Sequence, residues 1–393
     1  MKLIFIPFQD EPCFLNNGIL TREYAMLKLI KDAGHEPRFV INKPRTILDH
    51  KEVSSNERLF PLGSIEHEIK QAIDAAQSIF PFRELSLSQI TMKRGWWVDG
   101  YLKALDFLPG NLSDYLVYSN TPFSWKLIEH LKQRGATILF DSMDNMATYP
   151  HFWMKERAAA HEGYYKLLET ANFSCANSQR TVDYFKSEFD VDVELIKNGV
   201  FQPPLMDSLT IDLYDEIAKI KQKYRHTVGF IGKFGFRINH TLIDELARKA
   251  PDLLFVLIGP ELDGQCSEIN KIVAGHSNIL KYPGVPSAYL YKLMSAFDSL
   301  MIPYSVGENE NSGDPLKLYQ YLLANKPIAC TPIREVAEFS DYILISDNSD
   351  KWLEFFDNPD QFVCRKHAID SILWSSRAAS LINFIKENDC VER

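Results

Sequence analysis

The chain has 393 residues, of which 46% are hydrophobic and 24% charged, so it can bury a large core but exceeds the size at which single cores usually stop growing. Its formal net charge of -9 argues against a polyanion-binding groove, and a nucleic-acid partner is disfavoured. Six scattered cysteines form no CxxC pair and have no metal-ligand spacing, so no metal site is predicted. The short apolar start and the lack of any long apolar run predict a cytoplasmic, reduced protein.

Short apolar runs alternate with longer amphipathic ones along the chain, which predicts an α/β fold built on parallel sheets. In the first half, strands are predicted at residues 3–8, 38–41, 115–118, 137–140, 173–176 and 193–196. Helices are predicted between them, at residues 20–33, 125–134, 155–170 and 180–188. These elements predict one doubly wound domain.

The second half repeats this architecture after Asn198-Gly199 and the extended Pro203-Pro204 segment, which indicate a connection between domains. Strands are predicted at residues 228–231, 253–258, 278–281 and 300–303, and helices at 241–249 and 287–296. We therefore predict a first domain at 1–200, a second domain at 201–365, and a helical tail at 366–393 that packs back on the first domain.

A glycine-containing loop follows the predicted strand at 228–231. Gly232 opens this loop, and Lys233 and Arg237 lie within it. Unpaired backbone amides and two cations suit a diphosphate, and glycine lets the backbone approach the ligand closely. Ordinary turn chemistry after a strand is the alternative explanation.

A second phosphate-binding candidate is the polar turn at residues 312–314, which leads into Pro315. Proline suits the first turn of a helix, where its missing amide would be unpaired anyway. Lys317 and Gln320 are spaced i, i+3 and share one face of this helix. The spacing predicts one contact to phosphate and one to a sugar hydroxyl, with a solvated surface helix as the alternative.

A third candidate group directly follows the predicted strand at 137–140. Asp141, Asp144 and Asn145 lie at the carboxyl end of that strand, where open α/β sheets place ligand contacts. We expect Asp141 or Asp144 to contact sugar or acceptor hydroxyls. A helix cap formed by Asp144 or Asn145 is the alternative.

Cations and aromatic residues occur together at residues 92–98, with Arg83 upstream. This mixture is typical of a membrane interface or of a site for an anionic lipid-linked acceptor. A tucked helix whose cations extend their heads to solvent explains it as well.

The second half resembles the bacterial group 1 glycosyltransferases, and most closely the teichuronic-acid and capsule-type branch of family 4. The resemblance is carried, in order, by the glycine-rich segment 228–237, the strand segment 251–260, the PGVP segment 283–286, and the segment 314–327 that begins DPLKLYQYL. It implies a GT-B fold, in which two Rossmann-like domains face each other across a cleft. The first domain would serve the acceptor and the second would hold the nucleotide sugar.

Residues and resemblance together predict the site. The predicted catalytic residues are Asp141, Lys233 and Lys317. The predicted donor-binding residues are Gly18, Gly232, Arg237, Ser312, Gly313, Asp314, Pro315, Leu316 and Gln320. Asp144 and Asn145 are predicted to contact the acceptor. Two departures stand out, because the family's paired glutamates would fall at Ser312 and Gln320, and a histidine common among relatives would fall at Asp141.

The expected function is transfer of a sugar from a nucleotide-diphosphate sugar to a glycan or lipid-linked acceptor in surface polysaccharide biosynthesis. The resemblance implies retention of anomeric configuration and no metal or other cofactor. A peripheral contact with the inner face of a membrane stays open, and the oligomeric state is not predicted. The alternative is a catalytically inactive glycosyltransferase-like subunit, motivated by the missing carboxylates. A nucleotide-sugar epimerase ranks third, because it needs acid–base residues that the sequence does not reveal.

Overall fold

The computed structural model describes residues 1–47, 59–149, 152–202, 211–235, 237–261, 267–307, 314–359 and 366–389. The chain divides into two compact units. The first contains Met1–Asn198, Asp314 and the segment from Trp374 onward, and the second contains the segment from Gly199 and Pro315–Leu373. The chain therefore enters and leaves the second unit more than once.

The first unit is built on a parallel sheet of seven strands in the order β3-β2-β1-β4-β5-β6-β7. The strands are β1 Lys2–Ile6, β2 Glu36–Ile41, β3 Gln77–Ile79, β4 Tyr115–Ser119, β5 Thr137–Ser142, β6 Phe173–Ala176 and β7 Glu194–Leu195. The central strands β1, β4 and β5 are almost entirely buried, as expected of a parallel sheet covered on both faces.

Helices cover this sheet on both faces. They are α1 Glu11–Asn17, α2 Arg22–Asp32, α3 Ile65–Asp74, α4 Leu87–Thr91, α5 Trp97–Gly100, α6 Trp125–Gln133, α7 Met154–Thr170 and α8 Gln179–Phe189. Short 3-10 turns lie at Lys93–Trp96, Tyr101–Phe107 and Pro122–Ser124. The predicted helices at 125–134, 155–170 and 180–188 are confirmed to within one residue at each end.

The second unit has a parallel sheet of six strands in the order β10-β9-β8-β11-β12-β13. The strands are β8 His226–Ile231, β9 Leu253–Ile258, β10 Ile279–Tyr282, β11 Ser299–Ile302, β12 Ile328–Cys330 and β13 Leu344–Ile345. Its helices are α9 Asp212–Ile220, α10 His240–Lys249, α11 Ser267–Gly275, α12 Leu290–Ser295, α13 Leu316–Leu323, α14 Ser349–Asp357 and α15 Lys366–Ile372. The predicted α/β class and the repetition of the architecture are confirmed.

The predicted helical tail is divided between the two units. Helix α15 belongs with the second unit, and only α16, Trp374–Asp389, belongs with the first, where it packs against α2. The backbone of Leu373, between the two helices, pairs with that of Val200. The boundary predicted at residue 365 therefore falls after Leu373. No helix in the described part of the chain is both long and apolar enough to cross a bilayer.

Candidate functional site

The ammonium group of Lys317 lies at the carboxyl end of β8 in the second unit. Its Nζ donates a hydrogen bond to the carbonyl oxygen of Ile231, the last residue of that strand. It also lies over the Phe230 ring, 4.6 Å from the ring centroid, and 6.0 Å from the centroid of Tyr304. Helix α13 thus directs its first-turn lysine onto the loop that follows β8.

Two glycines make this close approach possible. A Cβ atom on Gly232 would collide with Nζ of Lys317, and a Cβ atom on Gly259 would collide with the carbonyl oxygen of Gly232. The amide of Gly232 donates to the carbonyl of Ile258 at 2.7 Å, which holds the ends of β8 and β9 together. Glycine is required at 232 for space, so the turn-chemistry alternative does not account for this position.

Three cations share this neighbourhood, and we call Lys233, Arg237 and Lys317 the cation cluster. Burial lowers the pKa of Lys317 to about 7, with further lowering by the charges of Arg237 and Lys233. No acidic side chain among the described residues raises the pKa of Lys317. A buried lysine whose pKa is lowered by two neighbouring cations favours a bound anion.

Backbone contacts fix the loop that carries Arg237. Ser305 donates its amide to the carbonyl of Arg237 at 2.6 Å, and Ile238 forms an antiparallel bridge with Tyr304. Burial raises the pKa of the Tyr304 hydroxyl, and a hydrogen bond with the Arg237 side chain opposes that shift. The arginine predicted to lie by the phosphates is therefore held beside Lys317 by the segment after β11.

The start of α13 agrees with the predicted helix, with one shift. Pro315 occupies the N-cap position with φ -78°, and Leu316 is the first helical residue. Leu316, Lys317 and Gln320 are partly exposed, whereas the other face of the helix is buried in the core. The Gln320 side chain has no hydrogen-bond partner among the described residues, so its amide is available to a ligand.

Of the turn before α13, only Asp314 lies within the described residues, whereas Ser312 and Gly313 lie outside them. Asp314 is buried and belongs to the first unit. Its carboxylate accepts the backbone amide of Asn198 at 2.6 Å, and its carbonyl accepts the Asn198 side-chain amide at 2.8 Å. These two hydrogen bonds give Asp314 a structural role, and its donor contact stays a prediction.

Asp141 also differs from the prediction, because its carboxylate lies in a saturated, fully buried network. Arg22 donates to it through Nε at 3.0 Å and Nη2 at 2.9 Å. The Tyr118 hydroxyl donates to it at 2.8 Å, with further bonds from Asn120 and Cys175. Because both oxygens already accept hydrogen bonds inside the core, a sugar or acceptor contact by Asp141 is not supported.

Arg22, the buried counterion of Asp141, is a residue of this network that was not predicted from the sequence. Burial lowers the pKa of its guanidinium, but the charge and hydrogen bonds of Asp141 outweigh that effect and the net shift is upward. Arg22 also donates to the side-chain oxygen of Asn198 at 3.2 Å. One sequence signal exists, because Arg22 is the first residue of α2, where the helix dipole disfavours a cation. A cation in that position indicates a buried anionic partner.

The remaining first-unit candidates have local roles. Asn145 is buried, and its side chain accepts the amide of Ala147 at 3.1 Å, so it closes a turn as the capping alternative predicts. Asp144 is partly exposed, and its acceptor role stays a prediction. Gly18 ends α1 with φ 59° and donates its amide to Phe14. Glycine is favoured at position 18 because the backbone there is left-handed. The predicted contact of Gly18 with the donor phosphates stays a prediction.

The segment at residues 92–98 is mostly tucked into the first unit. Trp96 and Val98 are buried, and Arg94 pairs with the buried carboxylate of Glu156 at 2.7 Å. The alternative of a segment packed into its own domain therefore describes residues 92–98 better than a membrane interface does. Within the described ranges, no three His, Cys, Asp or Glu side chains group as a metal site.

Two Rossmann-like units, each on a parallel sheet, define a protein of the GT-B fold. Among solved structures, the chain is similar to Anabaena HepE in complex with UDP and glucose, with a TM-score of 0.61, 14% identity, and coverage of 100% of this chain and 98% of that chain. It is also similar to the α,α-trehalose-phosphate synthase (UDP-forming) from Burkholderia xenovorans in complex with glucose-6-phosphate, with a TM-score of 0.64, 10% identity, and coverage of 99% and 100%.

A third similar structure is TarM, with a TM-score of 0.56, 12% identity, and coverage of 75% of this chain and 58% of that chain. No protein-family model and no curated protein matches the sequence. At these identities the similarity establishes the fold.

Proposed function

We propose that this protein is a glycosyltransferase that moves a sugar from a nucleotide-diphosphate sugar to a glycan or lipid-linked acceptor. The observation that carries the proposal is the cation cluster at the carboxyl end of β8, where Lys317 is held against Gly232. Departure of a nucleoside diphosphate concentrates negative charge on the leaving group, and preorganised cations stabilise it. The complexes of similar structures with UDP, glucose or glucose-6-phosphate support a sugar substrate.

Each member of the cation cluster has a proposed role, and so does Gln320 on α13. Lys317 and Lys233 stabilise the leaving diphosphate, Arg237 binds it in the ground state, and Gln320 accepts or donates a hydrogen bond to the ribose. In this scheme the cations neutralise the diphosphate without a metal ion. Retention at the anomeric carbon and a role in surface polysaccharide biosynthesis are finer proposals, supported by the resemblance of residues 228–327 to the capsule-type branch of family 4.

The test uses Gly232→Ala, with Gly275→Ala as its matched control. Wild-type protein is heated with UDP, GDP, CMP and ADP and their sugar conjugates, because a ligand that binds the native state raises its melting temperature. We expect one nucleotide series to raise Tm. Gly232→Ala should lose most of that shift, since its methyl group displaces Lys317, whereas Gly275 has open space around the added Cβ.

The same nucleotide series is then assayed for release of nucleoside diphosphate from the sugar conjugate. Slow hydrolysis or transfer supports the enzyme. If no nucleotide shifts the wild-type Tm, or if both variants respond as the wild type does, the donor site is assigned incorrectly.

A catalytically inactive binding subunit is the second candidate. Gln320 favours it, because an amide replaces the carboxylate that the family places against the ribose and binds a hydroxyl more weakly. Binding of a nucleotide sugar with no turnover on any matched acceptor would support this candidate over the enzyme.

A further inference from the structure

Asn198 lies at the centre of a buried hydrogen-bond network in the first unit. It is 4% exposed, and all four of its polar atoms have partners. Its backbone amide donates to the carboxylate of Asp314 at 2.6 Å, and its side-chain Nδ2 donates to the Asp314 carbonyl at 2.8 Å. Its side-chain Oδ1 accepts from Nη1 of Arg22 at 3.2 Å, and its carbonyl accepts from Nε of Arg377 at 3.2 Å. Asn198 therefore joins segments that are far apart in the sequence.

The ion pair between Arg22 and Asp141 fixes the orientation of the Asn198 side chain. Asp141 holds Nε and Nη2 of Arg22, and Nη1 reaches Asn198. A guanidinium donates hydrogen bonds and accepts none, so the amide oxygen of Asn198 faces Arg22 and its amide nitrogen faces the Asp314 carbonyl. Asparagine satisfies both neighbours because its side chain carries an acceptor and a donor in one plane. An ionised aspartate has no hydrogen to donate to that carbonyl, and leucine has neither group.

The Asp314 carbonyl belongs to the peptide bond through which the chain enters α13. That bond is planar and joins Asp314 to Pro315, so a hydrogen bond to its oxygen sets the orientation of the whole peptide plane. The proline ring then restricts the next backbone angle, φ, which is -78°. Only ψ of Pro315 is free to rotate before Leu316, the first helical residue. The network around Asn198 therefore orients the backbone that leads into α13.

The first turn of α13 depends on this anchor more than the later turns do. Side chains such as Leu318 and Leu322 pack the later part of the helix into the core of the second unit. Lys317, in the first turn, lies outside that buried face. The N-cap residue is Pro315, whose side chain has no polar atom with which to cap a helix. The bonds to Asp314 are thus what holds the start of the helix.

Small movements of this turn reach the ammonium group of Lys317. Its Nζ donates to the carbonyl of Ile231 and lies so close to Gly232 that a Cβ atom there would collide with it. The ammonium also lies 4.6 Å from the centroid of the Phe230 ring. A shift of about 1 Å in a catalytic group can cost about a hundredfold in rate. The proposed role of Lys317 at the leaving diphosphate therefore requires a fixed start of α13.

We propose that Asn198 is a positioning residue for the sugar-transfer reaction. Arg22 and Asp141 orient its amide. The amide holds the peptide plane that leads into α13, and that plane places Lys317 at the leaving diphosphate. This inference rests on the proposed function, because Lys317 has no leaving group to stabilise without it. It also gives Asp141 an influence on the reaction that needs no contact with the substrate.

The test follows the pKa of Lys317 in the full chain without nucleotide. The ε-carbon signal of Lys317 in carbon-labelled protein is assigned by its absence in Lys317→Met, and is titrated by NMR in wild type and in Asn198→Ala. Lys233, Arg237 and Tyr304 face Lys317, and the variant leaves all three in place. When the first turn loses its anchor, Nζ gains water, and its pKa should rise by about one unit or more from the wild-type value of about 7.

The donor-hydrolysis assay gives the second measurement. In Asn198→Ala, kcat should fall by about tenfold or more while KM for the nucleotide sugar stays nearly unchanged, because Lys317 acts on charge that develops only in the transition state. A side chain that merely stabilised the fold would not produce this division between kcat and KM in folded protein.

Asn278→Ala is the matched control. Asn278 is 3% exposed, and its side-chain nitrogen donates to three backbone carbonyls, so its loss also breaks buried hydrogen bonds but leaves α13 unchanged. The control should keep the wild-type pKa of Lys317 and the wild-type kcat. An unchanged Lys317 pKa in Asn198→Ala overturns the proposal, as does an equal shift in the control. A wild-type kcat despite a raised pKa also overturns it.

A second variant decides the matter where Asn198→Ala does not fold. Arg22→Met with Asp141→Leu keeps apolar side chains in the core but removes the donor that orients Asn198. The pKa of Lys317 should rise in this variant as well, and a wild-type value overturns the proposal. A raised pKa supports the positioning of Lys317 by Asn198 even if no nucleotide raises the melting temperature, and that second result contradicts the proposed function alone.

Discussion

The surroundings of Lys317 destabilise the charged form of its side chain. Its Nζ has a carbonyl oxygen and the face of a phenylalanine ring as partners, while two other cations lie nearby. Burial and those cations lower its pKa to about 7 from the ordinary 10.5. Near neutral pH the group is therefore divided between its neutral and charged forms, and an anion that binds next to it favours the charged form.

We predict that nucleotide binding depends on pH through Lys317. A bound diphosphate raises the pKa of Lys317, so binding takes up a proton above pH 7, and affinity should fall by up to about tenfold per pH unit as the pH rises. Lys317→Met, similar in length but neutral, should bind more weakly at pH 7 and lose this dependence. Titration calorimetry from about pH 7 to pH 9, in buffers of different ionisation enthalpy, measures both affinity and proton uptake.

The same pKa shift has the opposite effect on stability. Between about pH 7 and 10.5, the unfolded chain holds a proton on Lys317 that the folded chain does not, so this group's contribution to the free energy of unfolding increases as pH rises through that window. Ligand affinity should fall over the same range. An identical pH dependence of binding in the Lys317→Met variant would contradict the role of Lys317.

The cation cluster could be predicted from sequence because its signals are local. Gly232, Lys233 and Arg237 lie in one loop directly after a buried strand, and Lys317 lies in the first turn of a helix. The carboxyl ends of parallel strands are the general ligand side of such sheets. Tyr304 was not predicted as a neighbour, because an aromatic residue after a strand has the same pattern whether it packs in the core or beside a cation.

At the level of elements, α2, β4 and β5 of the first unit are joined by one buried ion pair and a hydrogen bond to it. Arg22 comes from α2, Tyr118 from β4 and Asp141 from β5, and none of these three side chains is more than 4% exposed. The sequence separates Arg22 from Asp141 by 119 positions, so no local pattern connects them. Asp141 was consequently predicted to contact a substrate, because that prediction rested on its position at the carboxyl end of a strand.

We predict that Asp141→Asn destabilises the first unit by about 3–5 kcal/mol, because it leaves the Arg22 charge buried without its counterion. Replacing both partners by apolar residues, Arg22→Met with Asp141→Leu, should recover most of the loss. Urea unfolding followed by circular dichroism gives the free energy of unfolding of each variant. If Asp141→Asn kept wild-type stability but lost turnover, the result would favour a direct contact between Asp141 and the substrate.

Most of the buried strands could be predicted from sequence, whereas three short strands could not. The apolar runs that form β4, β6 and β9 were predicted within one residue of their observed bounds. Strands β3, β12 and β13 were missed, since they contain three, three and two residues. A strand that short has no periodicity of its own and is defined by the neighbour with which it pairs.

At the level of the whole molecule, the first unit is discontinuous in sequence. Helix α16 packs against α2, and Trp374 and Leu381 are almost fully buried. The Trp374 ring lies 5.8 Å from the guanidinium of Arg22, and Arg377 donates to the carbonyl of Asn198 at 3.2 Å. The apolar pattern of the tail predicted a helix, but it could not show that the chain changes units at Leu373, because either sheet would accept such a helix.

We predict that a chain ending at Leu373 loses stability in the first unit and keeps it in the second. Removal of α16 uncovers α2 and takes away the ring that lies over Arg22. Hydrogen exchange should then become faster in β1 and α2 and remain unchanged in β8 and β9. A chain ending at Asp389 is the matched control and should exchange as the full chain does. Equal loss of protection in both units would contradict this division of the chain.

The discontinuity also affects how the protein is made. A ribosome that adds about 5–20 residues per second needs on the order of ten to forty seconds to proceed from Asn198 to the end of α16. During that time all seven strands of the first sheet have been synthesised. The surface of α2 that α16 covers is still exposed to solvent, because α16 has not yet been made. A newly made chain is therefore most open to chaperones and to aggregation through its earliest part, which is synthesised first and completed last.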